Sequence, residues 1–219
     1  MTNILFAALA LMPATNDGWE LKAPFKEELT QEYEMLVFLD MGEQEMEVEL
    51  IAVLKIDKKT DKGFSGSFAF TDIFLDGSPG EGGTWPVEIN ASGVLMGVEA
   101  DEGPGMRRMC LPFFLAYPDK TVSVGDTWKY ADKEDDAVDG HRLLVEYKVV
   151  EETRVGKNDA LKIEFKLKEE GNAPMTGVGH FWVDKNGVVL KYEMDLESWP
   201  VPIADDQVFD AEITGEIMD

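Results

Sequence analysis

Cysteine is almost missing from this chain. Of 219 residues only Cys110 carries a thiol, which excludes an intramolecular disulfide framework. Its neighbours Met109, Leu111 and Phe113 are apolar, which suits an inert buried thiol better than a nucleophile. Histidine is as scarce. His141 and His180 are too few for a rich metal centre, and no Cys-x-x-Cys or His-Glu-x-x-His pattern supports one. Positive charge is the third shortage. Lys and Arg number 20 against 44 Asp and Glu, a net charge of −24, and that field repels phosphate backbones and anionic lipid. Nucleic acid is therefore not an expected partner. There is no Gly-x-Ser-x-Gly elbow and no Gly-Lys-Ser/Thr phosphate loop, and Gly63-Phe64-Ser65-Gly66 is no substitute. No segment sustains a helical period, which argues against an α/β fold.

What the chain has instead is alternation. Phe25, Leu29, Tyr33, Met35, Val37 and Leu39 occupy odd positions among mostly charged and polar even ones, the period of a half-buried strand. After a turn at Met41-Gly42-Glu43, Met46, Val48, Leu50, Ala52, Leu54 and Ile56 form one face of a second strand. Thr60-Asp61-Lys62-Gly63 turns again, and Phe64, Phe68, Phe70 and Phe74 mark a third strand. A glycine-rich loop from Asp76 to Thr84 and a short hairpin through Trp85–Ile89 and Val94–Met96 follow.

The stretch Leu115–Trp128 separates this group from a second one. Met106–Leu115 is apolar apart from Arg107 and Arg108 and predicts a short helix near 104–116, limited by Pro112. Beyond Trp128, alternating residues run through Leu143–Val149 and Leu161–Leu167. Asp184-Lys185-Asn186-Gly187 is a hairpin signal between Val178–Val183 and Val188–Leu196. Trp199-Pro200-Val201-Pro202 interrupts the pattern, and Phe209–Ile217 supplies a last strand. The expected fold is mainly β: an antiparallel meander of about ten or eleven strands forming a curved sheet, half-barrel or sandwich. Gly177 and Gly179 share a face of one strand, as sharp curvature or a close crossing would require.

Ile4–Met12 has the length of a signal-peptide core and is too short to span a membrane. Residues 1–14 are read as an export signal, although no Lys or Arg precedes the run. The alternative is an N-terminal strand of a protein that stays in the cytoplasm. Residues 15–219 then form a single β domain of two hairpin groups, about 19–100 and 126–219, joined by 101–125. Leu111-Pro112, Val122-Ser123-Val124-Gly125-Asp126-Thr127-Trp128 and Gly177–Gly187 together resemble the motifs of a bacterial family of exported β-rich proteins of unknown function. Its pattern is Leu-Pro…Val-x-Val-Gly-Asp-Thr/Ser-Trp followed by a Gly-x-Gly-x-Phe strand. That resemblance implies an exported β fold and carries no activity with it.

No residue stands out as catalytic, cofactor-binding or metal-ligating. Gly125, Asp126, Trp128, Gly177, Gly179 and Gly187 read as structural: Gly125 makes a turn, Asp126 bonds amides within it, and Trp128 anchors the next strand in the core. Two histidines on antiparallel strands could share a metal, but local hydrogen bonding is the simpler reading. The acidic groups Asp101-Glu102, Glu134-Asp135-Asp136 and Asp205-Asp206 lack the spaced form of a helix-loop-helix calcium site and read as solvated loops. The expected function is that of an exported, non-enzymatic binding or scaffold protein without cofactor. Its partner would be a small apolar molecule or another exported protein. The alternatives are a carrier enclosing an apolar ligand within the curved sheet, and a carboxylate-based hydrolase.

Overall fold

Period-two sequences become strands because one face of each can be buried while the other stays wet. The computed structural model describes residues 18–99, 105–133, 140–201 and 208–218. The first group of strands is β1 (Leu29–Asp40), β2 (Glu45–Thr60), β3 (Gly63–Leu75), β4 (Ser78–Pro79), β5 (Gly83–Asn90) and β6 (Leu95–Val98). Helix α1 (Gly105–Cys110) and a 3₁₀ turn (Leu111–Phe113) begin the link. The second group is β7 (Thr127–Ala131), β8 (Arg142–Val155), β9 (Asn158–Glu170), β10 (Thr176–Asp184), β11 (Val189–Pro200) and β12 (Val208–Ile217). The expected mainly antiparallel β architecture with one short helix is what the chain adopts.

All twelve strands lie in one open sheet of order β6-β5-β3-β2-β1-β12-β11-β10-β9-β8-β7, with β4 paired to β3 off this path. Each group is a meander, and β1 and β12 join them at the middle, with Met35 opposite Gly215 and Val37 opposite Ile213. The sheet does not close into a barrel. Its two edges, β6 and β7, are neighbours in sequence, so the link between them must cross the hollow of the sheet. Side chains from both edges and all the long strands belong to one apolar cluster, together with Met106, Met109, Leu111, Leu115 and Tyr117 of the link. Each fully buried Leu, Ile, Phe or Met in it contributes about 1.5–3 kcal/mol relative to exposure.

Two departures from simple alternation have local causes. Strand β1 starts at Leu29, not Phe25, because Glu28 takes a φ of 63° and Leu29 N–H turns back to the Lys26 carbonyl. Residues 18–25 instead form a strap, bridged to the link by Trp19 and Val122. Strand β11 does not stop at Trp199 but runs to Pro200. A bulge at Ser198, with φ of 57°, shifts its register and turns Trp199 into the core.

The link is pinned by two buried ion pairs. Arg107 Nη2 lies 3.2 Å from Asp132 Oδ1, and its Nε–H donates to the Leu95 carbonyl. Asp132 also accepts from the Leu143 amide at 2.9 Å and the Tyr130 hydroxyl at 3.0 Å. Arg108 Nη2 lies 2.7 Å from Glu169 Oε2, which also accepts from the Met175 amide. Consecutive arginines thus tie one short helix to both β9 and the loop after β7. Satisfied this fully, the charges tolerate burial that an unpaired one would not.

Candidate functional site

The link is held inside the sheet by side-chain hydrogen bonds to other elements. Trp199 Nε1–H donates to the Met109 carbonyl at 3.0 Å, Trp128 Nε1–H to the Ala116 carbonyl at 2.7 Å, and Tyr117 hydroxyl to the Gly187 carbonyl at 2.6 Å. Phe113, Phe114 and Leu115 fill the space beneath. The void they leave among Tyr33, Phe68 and Tyr192 is about 30 Å³, room for a single water. Burial pushes the phenol pKa values of Tyr33, Tyr117, Tyr147 and Tyr192 well up, so all four stay neutral.

One end of the sheet carries a broad groove of about 1040 Å³. Four segments build it: the strap at 20–23, the β2–β3 turn at 59–64, the β5–β6 turn at 90–92 and the link at 117–121. Asn90 Oδ1 accepts from the Ser92 and Val94 amides and fixes its turn, while the Tyr117 amide donates to the Ser92 carbonyl. Phe64 and Tyr117 contribute apolar surface to the groove, and Tyr117 also lines the internal void. Lys22, Lys59, Lys62 and Lys120 surround it, against Glu20, Asp61 and Asp119. Lys22 is paired with Glu20 at 2.6 Å. Among the described residues, no carboxylate lies within ion-pair distance of Lys59, Lys62 or Lys120. In a chain of net charge −24 this rim is a local exception.

The residues singled out from the sequence are spread over the fold. Gly125 has a φ of 94°, and the Asp126 carboxylate accepts from the Ser123 amide at 2.9 Å, closing the turn before β7. Trp128 is half-buried, stacked on Tyr147 with ring centres 5.0 Å apart. Gly177 and Gly179 lie mid-sheet. A Cβ on Gly179 would come within 2.3 Å of the Glu193 carbonyl oxygen, and one on Gly177 within 2.5 Å of a Leu196 methyl. Gly187, with φ of 83°, sits under the strap, where the Lys22 carbonyl oxygen is 1.8 Å from a would-be Cβ. Of the six, Gly187 alone lies beside the groove.

The two histidines do not meet. His141 Nε2 is 2.6 Å from the Asn172 carbonyl, at the outer end of β9. His180 stands mid-strand on the wet face, opposite Glu164 and Glu193 and beside Trp182, whose ring has Lys162 and Lys191 at about 5 Å. Partial burial and Lys162 lower the His180 pKa, with the nearby carboxylates opposing them. Among the described residues no group of three His, Cys, Asp or Glu side chains is placed to hold a metal. The acidic runs at 101–102, 134–136 and 205–206, and the proposed export signal at 1–14, lie outside the described residues. Sequence reasoning missed Arg107, Arg108, Asp132, Glu169 and the lysine rim. The consecutive arginines inside an apolar segment were the available signal for the first two.

No family model matches the chain, and no curated protein does. Two solved structures resemble it at low identity. One is a candidate exported protein with a YmcC-like fold from Bacteroides fragilis, 12% identical, covering 92% of this chain and 100% of its own, with a TM-score of 0.39. The other is a candidate lipoprotein from Parabacteroides distasonis, 11% identical, covering 91% and 100%, also with a TM-score of 0.39. No helix among the described residues is long and apolar enough to cross a membrane.

Proposed function

We propose that this chain is an exported, non-catalytic binding protein that recognises its ligand on its surface, at the groove between the strap, the two hairpin turns and the link. The observation that carries this reading is the filled hollow. A void of about 30 Å³ has no room for an acyl chain or other ligand, so the alternative of an internal apolar carrier lacks a site. The hydrolase alternative lacks support of a different kind. The buried carboxylates among the described residues are Asp132 and Glu169, and each is neutralised by an arginine and held by a main-chain amide. Export rests on the apolar run at Ile4–Met12 and on the motif resemblance through Val122–Trp128 and Gly177–Gly187.

A fluorescent fatty-acid analogue, titrated into delipidated protein with tryptophan emission as reporter, tests the surface reading. The expected result is no saturable uptake below roughly 100 μM, an affinity weaker than about 5.5 kcal/mol. Saturable uptake, with quenching of the core-facing Trp199, would restore the carrier.

A further inference from the structure

We infer that the groove binds a small multivalent organic anion, a phosphate ester or a polycarboxylate, held by Lys59, Lys62 and Lys120; this rests on the surface-binding reading above. Three observations converge. First, in a chain where carboxylates outnumber cationic side chains by more than two to one, Lys59, Lys62 and Lys120 are brought to one groove from two segments far apart in sequence. Among the described residues none of the three has a carboxylate at ion-pair distance, although the Lys59 amide donates to Glu27 Oε1 at 3.4 Å. Second, the rim is assembled from segments far apart in sequence, and hydrogen bonds hold its parts in place: Asn90 to its own turn, Tyr117 to Ser92 and Gly187, Thr60 to the Lys62 amide. Third, the groove has about 1040 Å³ of space, as large as the larger small-molecule sites, with the half-buried Phe64 on its wall.

The size of the ligand follows from the range of electrostatics. Screening confines each lysine's attraction to about 8 Å at physiological salt. A nucleic acid, an anionic bilayer or another long polyanion would extend beyond that distance onto surfaces dominated by carboxylates, where it is repelled. A small anion gains the lysines' attraction without meeting the rest. Lysines, as compact charges on flexible stems, accept phosphate and carboxylate alike without the fixed fork geometry of arginine.

The test is calorimetric titration of the full chain with inorganic pyrophosphate and, separately, citrate, with sodium chloride adjusted to keep ionic strength constant. Expected is saturable binding of at least one of them with a Kd below roughly 1 mM; which of the two binds more tightly distinguishes phosphate from carboxylate recognition. Amide shifts in the ¹⁵N spectrum should concentrate at 59–64, 90–92 and 119–121. The triple variant Lys59→Gln/Lys62→Gln/Lys120→Gln should bind at least tenfold more weakly, while Lys148→Gln/Lys168→Gln on the wet face of β8 and β9 stays within twofold of wild type. Both variants change exposed side chains, and an unchanged urea midpoint confirms their folding. Absence of saturable binding for both anions, or equal weakening in the two variants, would overturn the inference. The fatty-acid titration on the same sample separates the two levels. Neither anion nor fatty acid binding removes the anion class alone, whereas fatty-acid uptake removes the surface reading as well.

Discussion

The phenol of Tyr117 donates to the carbonyl of Gly187 at 2.6 Å, tying the link to the β10–β11 turn across 70 positions of sequence. The same glycine passes beneath the strap, with the Lys22 carbonyl oxygen 1.8 Å from where a Cβ would stand. Strap, turn and link therefore meet at one residue that cannot carry a side chain.

A comparison of two glycines tests this. Gly125 and Gly187 have similar positive φ values, 94° and 83°, but a Cβ on Gly125 meets nothing within 4 Å. Gly125→Ala should therefore lose only the conformational preference, about 1–2 kcal/mol. Gly187→Ala adds a backbone collision and should lose clearly more, with the strap at 18–25 becoming the first site of limited proteolysis. Equal urea midpoints for the two variants would show that the strap does not press on Gly187.

The ion pair of Arg107 and Asp132 gives a second prediction. Both side chains are almost fully buried, so removing either one strands a charge. Arg107→Met or Asp132→Leu alone should cost about 3–5 kcal/mol, while the double substitution should recover a large part of that loss. Urea denaturation of the two singles and the double gives the coupling. Additive losses would mean that the pair does not act as a unit.

Much of the fold could be read from residue order, because strands such as Met46–Ile56 advertise their buried face every second position. The β10–β11 hairpin was visible for the same reason, with Asp184 Oδ1 accepting from the Asn186 and Val188 amides in its turn. The central pairing of β1 with β12 was not visible. Nothing local in Tyr33–Asp40 specifies a partner 170 or more residues away, and only the shared core selects it. The arginine partners were hidden likewise, since Asp132 and Glu169 lie 25 and 61 residues from the helix. Lys62 read as one member of a hairpin turn, and its proximity to Lys120 exists only once the link crosses the hollow. Trp128 was expected as a core anchor; it is half-buried, and its indole N–H secures the link at Ala116.

Tyrosine ionisation supplies a prediction with a definite sign. The chain has five tyrosines, and burial raises the pKa of Tyr33, Tyr117, Tyr147 and Tyr192. In the unfolded chain these phenols ionise near pH 10. The unfolded state then releases protons that the folded state keeps, so stability falls as pH rises above about 10. Phenolate absorbance at about pH 10.5 should report at most one tyrosine per folded chain and roughly four of the five in concentrated urea, where the phenols have their ordinary pKa near 10. Three or more phenolates in the folded protein would contradict the burial of this cluster.

The filled hollow is tested most directly by Cys110, the single thiol, which lies fully buried at the end of α1. Burial also pushes its pKa up, so little thiolate exists to react while the link stays seated. The measurement is the rate of labelling by an aromatic disulfide reagent in native buffer and in low urea, compared with the unfolded chain. A link that remains in place predicts protection equal to the global unfolding free energy from denaturation, since only unfolding exposes the thiol. Labelling that is fast in native buffer, with protection far below global stability, would show that the link lifts out by itself. The sheet would then open an interior site, contrary to a protein that binds only at its surface.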